Sequence, residues 1–253
     1  MMVAAPPQDS TTPKNAVVQP SPTAAAVQLE APSRHAEFYF TDEMTVFQVE
    51  NRLFRVHKHF LAENSPIFNA MFSLPHGAKV GSTAEGAFDT NPIFLSDVTV
   101  LEFETLLQFF YKSFLLPQES WIALLSIAHR YEFLDVRERA IHEIYSPFKG
   151  RQTLSVSSKE EQESRLLISV AEKYDIPPQN IVPLLIPFVV RGQTLTEDEV
   201  SSFSALTVSR LARAREEFVR KRKTGYSVAE EIVCRIWQVP YVDPIKTDML
   251  YRF

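Results

Sequence analysis

The sequence is poor in glycine, with six, and almost without cysteine, with Cys234 alone in 253 residues. A lone cysteine cannot close an internal disulfide and cannot supply the two thiolates of a Cys2His2 zinc finger. The scarcity of glycine goes with the absence of a G-x-G-x-x-G, a P-loop and a G-x-S-x-G. Those are the turns that cradle phosphates or expose a nucleophilic serine. Long apolar runs are also missing. The longest, Ile181 to Val190, is ten residues and contains Pro183 and Pro187, whereas a spanning helix takes about 20. No basic flank with an apolar run opens the chain. With the single cysteine, this predicts an intracellular protein of the cytoplasm or nucleus, with no membrane span. Positive charge is not in excess. The net charge of −5 argues against a nucleic-acid partner, because binding of that kind rests on neutralising phosphates.

What is present is apolar and aromatic. Hydrophobic residues make up 45% of the chain and there are 19 phenylalanines, enough for one large core or two small ones. Residues 1–36, rich in proline and alanine, show no period and read as a disordered tail. Phe38-Tyr39-Phe40 and Met44 to Val49 have strand composition. Glu50-Asn51-Arg52 reads as a turn, and Leu53 to Val56 as the second arm of a hairpin. His57-Lys58-His59 and a short helical piece follow. Ser65-Pro66 then opens another helix, with serine as N-cap and proline at the first position, where its missing N–H has no cost. Pro75 to Pro92 reads as a long loop and Ile93 to Leu95 as a short strand. Thr99 and Glu102 form a capping box. Behind it, Val100, Phe103, Leu107, Phe110, Tyr111 and Phe114 recur at helical spacing. Two more helices are expected, Ser120 to Tyr131 and Asp135 to Tyr145, ended by Ser146-Pro147.

Residues 147–164 read as a linker, polar from Gln152 on, and 165–253 as an all-helical region. Ser126 to Phe133 and Ser169 to Ile176 match in chemistry position by position, 43 residues apart, as two like helix pairs in series would. Thr196 and Glu199 form a second capping box. A helix is expected from Thr207, and Ser227 with Glu230 is expected to cap the last one. Arg220, Lys221, Arg222 and Lys223 form a basic run. It fits a nuclear-import signal or a small nucleic-acid patch or, more simply, cations on the solvated end of a helix.

No constellation carries chemistry. His57 and His59 have no Cys, Asp or Glu at ligand spacing, so no metal site is expected. His129 and His142 lack a partnered serine or cysteine, and Cys234 sits on an apolar stripe as a small core residue. The expectation is a non-enzymatic chain without cofactor.

FRVHKHFLAENSPIFNAMF, residues 54–72, resembles the strand–helix–helix signature of the BTB/POZ family through Phe54, His57, Leu61, Ala62, Ser65, Phe68, Met71 and Phe72. Leu95 to Val98, Phe103 to Tyr111 and the LLxxAxxY of Leu124 to Tyr131 are similar to its later motifs, in order. The resemblance covers residues 37–146. It implies an α/β (α+β) fold, a small three-stranded sheet capped by a helical cluster, with Phe54, His57, Leu61 and Phe68 in the core. The helices that follow, 165–253, are similar to those of BTB proteins from mushroom-forming fungi. Such domains bind proteins. The resemblance implies an interaction module serving as substrate adaptor for a cullin-based ubiquitin ligase, with an unknown client. The alternative is a self-associating scaffold or a nuclear, transcription-linked protein. Candidate partner-binding residues are Met71, Phe72, Leu74 and Tyr111. Lys58 and Phe60 are the candidates for a homodimer interface, whose formation stays open because Met44 stands where many dimeric members carry an acid.

Overall fold

The computed structural model describes residues 44–74, 84–112, 116–152, 154, 157–221 and 225–241. The expected tail, the Phe38-Tyr39-Phe40 strand, Phe114, Arg222 and Lys223 lie outside the described residues. β1 (Met44–Val49) and β2 (Arg52–His57) form an antiparallel hairpin with Val49 opposite Arg52. The two-residue turn holds Glu50 at φ +50°. β3 (Ile93–Phe94) runs parallel to β1 on its other side, so the sheet order is β2-β1-β3. As the central strand, β1 is covered on both faces, and Thr45, Val46, Phe47 and Val49 are all buried. The loop before β3 is pinned to β1 at Gly86, whose carbonyl accepts from the Val46 N–H at 2.8 Å. Gly86 has φ +80°, and a Cβ there would stand 2.3 Å from the Thr45 hydroxyl, so this position takes glycine only.

α1 (Lys58–Asn64) follows β2 directly. α2 (Pro66–Ser73) starts at the expected cap, with the Ser65 hydroxyl accepting from the Phe68 N–H at 3.1 Å. α3 (Val100–Lys112) carries the expected capping box. The Thr99 N–H donates to the Glu102 carboxylate at 2.8 Å and the Glu102 N–H to the Thr99 hydroxyl at 3.2 Å. Its inward face differs from the expected stripe. Phe103 and Leu106 are buried, Leu107 and Phe110 only half so, and Tyr111 is exposed. The reason is Phe103, whose ring meets Phe47 and Phe54 at 5.5 and 5.1 Å and sets the rotation of the helix.

α4 (Ser120–Arg130) and α5 (Leu134–Tyr145) complete this part, and a 3-10 turn, Ser146–Phe148, ends it. Among the described residues five α-helices follow: α6 (Ser158–Lys173), α7 (Val182–Val190), α8 (Glu197–Ser202), α9 (Ala205–Arg220) and α10 (Tyr226–Trp237). Three starts differ from expectation. The segment read as a linker up to Ser164 is helical from Ser158, because Ser157 and Glu160 make a complete capping box. α9 begins two residues before Thr207, capped by Ser204. Ser227 lies inside the first turn of α10 and caps nothing; the N-cap is Gly225 at φ +135°. The box at Thr196 and Glu199 is present as expected. α7 is the apolar run with both prolines, and its side chains from Leu184 to Val189 are buried all round, as in a helix enclosed by others. Among the described residues no helix is long and apolar enough to cross a membrane.

The two similar stretches share a backbone device. After α4, Glu132 adopts φ +56° and the Phe133 N–H returns to the Ala128 carbonyl at 2.9 Å. After α6, Asp175 adopts φ +49° and the Ile176 N–H returns to Ala171 at 2.9 Å. Both are Schellman caps with a buried apolar residue next, Phe133 and Ile176. The second cap rests on the first pair: Arg137 of α5 donates to the carbonyls of Tyr174 and Asp175 at 2.9 and 3.1 Å. Tyr145 adds a bond to the Leu167 carbonyl at 2.7 Å. One continuous core of buried side chains runs from Phe47 to Trp237.

A left-handed conformation costs a non-glycine residue about 1–2 kcal/mol, and glycine returns part of that as unfolded-state entropy. Asp175→Gly should therefore stabilise the chain by about 0.5 kcal/mol. Urea unfolding with an unchanged m-value is the check.

Candidate functional site

Ser65 is the residue from which the candidate surface is built. Its hydroxyl accepts from the Phe68 N–H and donates to the Tyr131 carbonyl at 2.6 Å, so one buried group caps the start of α2 and the end of α4. Phe68 repeats the join with its ring, stacked on Tyr131 at 4.8 Å and meeting Phe133 at 5.7 Å. The outer surface of this joint is a cleft of about 380 Å³ between Pro66 and Asn69 of α2 and Glu132, Leu134 and Asp135 of the α4–α5 turn. Leu134 is 64% exposed on its rim and Leu74, at the end of α2, is 66% exposed. Glu63 also lines the cleft, which therefore carries three carboxylates around an apolar side chain.

The expected site residues separate into groups. Leu74 is exposed, while Met71 and Phe72 are half-buried against the core. Phe72 meets Phe47 at 6.4 Å, and the Lys58 ammonium lies 5.9 Å from its ring. Lys58, a candidate for a dimer interface, thus packs on a candidate partner-binding residue. Phe60 and Tyr111 behave alike: their rings meet edge-on at 5.0 Å, and Phe60 stacks on Phe110 at 5.8 Å. The Tyr111 hydroxyl accepts from the His57 N–H at 2.9 Å and lies 2.8 Å from its Nδ1. His57 is therefore an exposed tie between β2 and α3 rather than a core residue, because the strand turns its side chain outward next to Tyr111. Phe54 is half-buried, whereas Leu61 and Phe68 are fully buried as expected. Of the basic run, Arg220 pairs with Glu216 and Lys221 with Glu231, which fits cations on a solvated helix end.

Leu134 and Glu132 were not among the expected site residues. The signal available was Leu134 itself, an apolar residue directly after the apolar N-cap position Phe133, left exposed in the first turn of α5. Cys234 is buried, and burial, helped by the charge of Glu230, pushes its thiol up to about 11, so it is protonated at neutral pH. Among the described residues no group of three His, Cys, Asp or Glu could hold a metal ion.

At the start of α3, Glu102 ties that helix to Ser126 of α4. Burial would raise its carboxyl. Hydrogen bonds from Ser126 and Thr99 and the charge of Arg130 outweigh that and hold it below the usual carboxylate range. Glu199 is held down in the same way, against its burial, by Arg191 and Thr196.

The BTB/POZ domain model matches residues 37–146, and this stretch is a BTB/POZ domain, a protein–protein interaction module and typically a non-catalytic one. The small mixed sheet with its helices belongs to that domain, and the all-helical region follows it. BTB domains often dimerise. No curated protein matches the chain.

Removing the Ser65 hydroxyl loses a helix cap, worth about 1 kcal/mol, and leaves a buried carbonyl without its donor, worth about another. Ser65→Ala should destabilise by about 2 kcal/mol in urea unfolding. Glu102 and Glu199 have folded pKa values depressed below 4.5. Their stabilisation is complete above that value and lost as pH falls through the lower, folded values. The midpoint of thermal unfolding should fall as pH is lowered below about pH 5, with a shallower fall in Glu102→Gln.

Proposed function

We propose that this chain is a non-enzymatic adaptor that uses its BTB/POZ domain to hold a cullin-type ubiquitin-ligase scaffold. The helical region, 165–253, serves to bind or present a client. The observation that carries the reading is the cleft between α2 and the α4–α5 turn. It is a fixed groove with Leu134 on its rim and the exposed outer face of α2, ending at Leu74, beside it. A groove of this kind suits the insertion of a partner helix, whose apolar side chain would cover Leu134 while basic residues meet Glu63, Glu132 and Asp135. Leu74 belongs to the same contact. Met71 and Phe72 support it from beneath, and Tyr111 takes no direct part. We assign the domain to 37–146 and the helical region to 165–253, with a fungal relationship as the reading of the latter.

Self-association is the second reading. It is favoured by Phe94 and Leu101, which are 58% and 59% exposed on β3 and the start of α3.

Titration of the purified chain with cullin N-terminal domains tests the first reading. A central apolar anchor contributes about 2 kcal/mol or more, so Leu134→Asp should weaken binding by roughly thirtyfold with the melting temperature unchanged. Absence of binding to every cullin class would remove it. A mass twice that of the monomer in light scattering would favour the second.

A further inference from the structure

β2 is an edge strand. β1 covers one side of it, and its other side faces α3 across a cleft of about 530 Å³. In an antiparallel pair, successive residues direct their backbone groups alternately towards the partner and away from it. The His57 N–H points away, because it donates to the Tyr111 hydroxyl. Arg55 and Leu53, two and four residues earlier, therefore direct their N–H and C=O groups into the cleft as well. Among the described residues no backbone group outside β1 bonds to them. Among the described residues Tyr111 closes one end of this edge and nothing else pairs with it.

The opposite wall is one face of α3, formed by Glu104, Leu107, Gln108, Tyr111 and Lys112 at three- and four-residue spacing. The apolar surface within reach is Leu53, 50% exposed, with Met44, Leu107 and the Tyr111 ring. The charge is one-sided. Glu104 is paired with Arg52 at 3.1 Å, while among the described residues neither Arg55 nor Lys112 has a carboxylate partner. Two cations thus flank an apolar trough with an unpaired strand edge, on a chain whose net charge is −5.

We propose that this cleft receives an extended partner peptide of alternating apolar and acidic residues. It adds a strand to β2 through the backbone of Leu53 and Arg55, sets its apolar side chains on Leu107 and Tyr111, and places its carboxylates at Arg55 and Lys112. Strand addition of this kind takes affinity from the main chain and selectivity from alternate side chains. The inference rests on the chain being a protein-interaction module. It is independent of the cullin reading, which concerns Leu134 and a different cleft.

The test is fluorescence anisotropy of the full-length chain with a fluorescein-labelled octapeptide of alternating valine and glutamate. Its partners are the same peptide with lysine for glutamate and the same peptide N-methylated at alternate residues. The expected result is saturable binding of the acidic peptide alone. Arg55→Glu and Lys112→Glu, both on exposed side chains, should each weaken it roughly tenfold, a weakening reduced at high salt. Hydrogen exchange should slow at the Leu53 and Arg55 amides when the peptide is bound. No binding, equal binding of the N-methylated peptide, or indifference to both charge reversals would overturn the proposal. So would concentration-dependent protection of the two amides without peptide, which would mean that a second copy of the chain fills the edge. Leu134→Asp should leave peptide binding intact, which keeps this test separate from that of the cullin reading.

Discussion

The candidate binding surface depends on one joint, the hydroxyl of Ser65 with the ring three residues later. Ser65 holds α2 and the end of α4 in a single hydrogen-bonded unit, and Phe68 fills the space beneath it against Tyr131, Phe133 and Phe47. A hydroxyl can do this because it donates and accepts at once, and because burial removes competing water. α2 is only eight residues long and would not hold its shape alone. Its cap and its anchor residue make its outer face a fixed wall, and the cleft with Leu134 exists only because that wall is fixed.

The rest of the chain solves a different problem, ending helices with very little glycine. Glu132, Asp175 and Gln238 all take left-handed conformations where glycine is usual. Each is followed by an apolar residue whose N–H closes the cap, Phe133, Ile176 and Val239. Packing of those residues offsets the backbone strain. Because Arg137 of α5 bonds the carbonyls at the end of α6, the helical region is attached to the domain before it through a cap rather than by a bare apolar contact. α7 then supplies the helical region's own centre, since its apolar run is enclosed on every side.

How far these features could be read from the sequence follows from how local their causes are. Ser65, Thr99 and Thr196 were legible as caps because the partner is three residues away and the pattern is complete in four. The domain was legible because several such local patterns occur in order. Ser157 was obscured by the polar residues around it: the first two turns of α6 expose most of their length, and no apolar residue marks the helix before Leu166. Ser227 gave the right spacing in the wrong place, since the chain enters α10 through Gly225 and leaves that serine inside the helix. His57 and Leu134 were out of reach for another reason. Whether a residue at an element boundary faces the core depends on what packs across it, and Tyr111 and α2 are supplied from 54 and more than 60 residues away.

The two clefts rest on one set of rings. Tyr111 and Phe60, beside the β2 edge, meet Phe110 through Phe60 at 5.8 Å; Phe110 meets Phe133 at 5.9 Å, and Phe133 meets Phe68 at 5.7 Å. Phe133 is the residue before Leu134. A packed aromatic interior has little free volume, so a change at Phe110 or Phe133 shifts both walls together. Substitutions in these rings cannot assign a partner to either cleft. Leu134 on one rim and Arg55 on the other lie outside the ring set, and exposed side chains of that kind change what a surface binds without changing what holds it in place. The fold presents an acidic groove with an apolar rim in one place and a basic strand edge in another. Opposite charge and different backbone geometry give the two clefts different requirements, so a ligand suited to one does not satisfy the other.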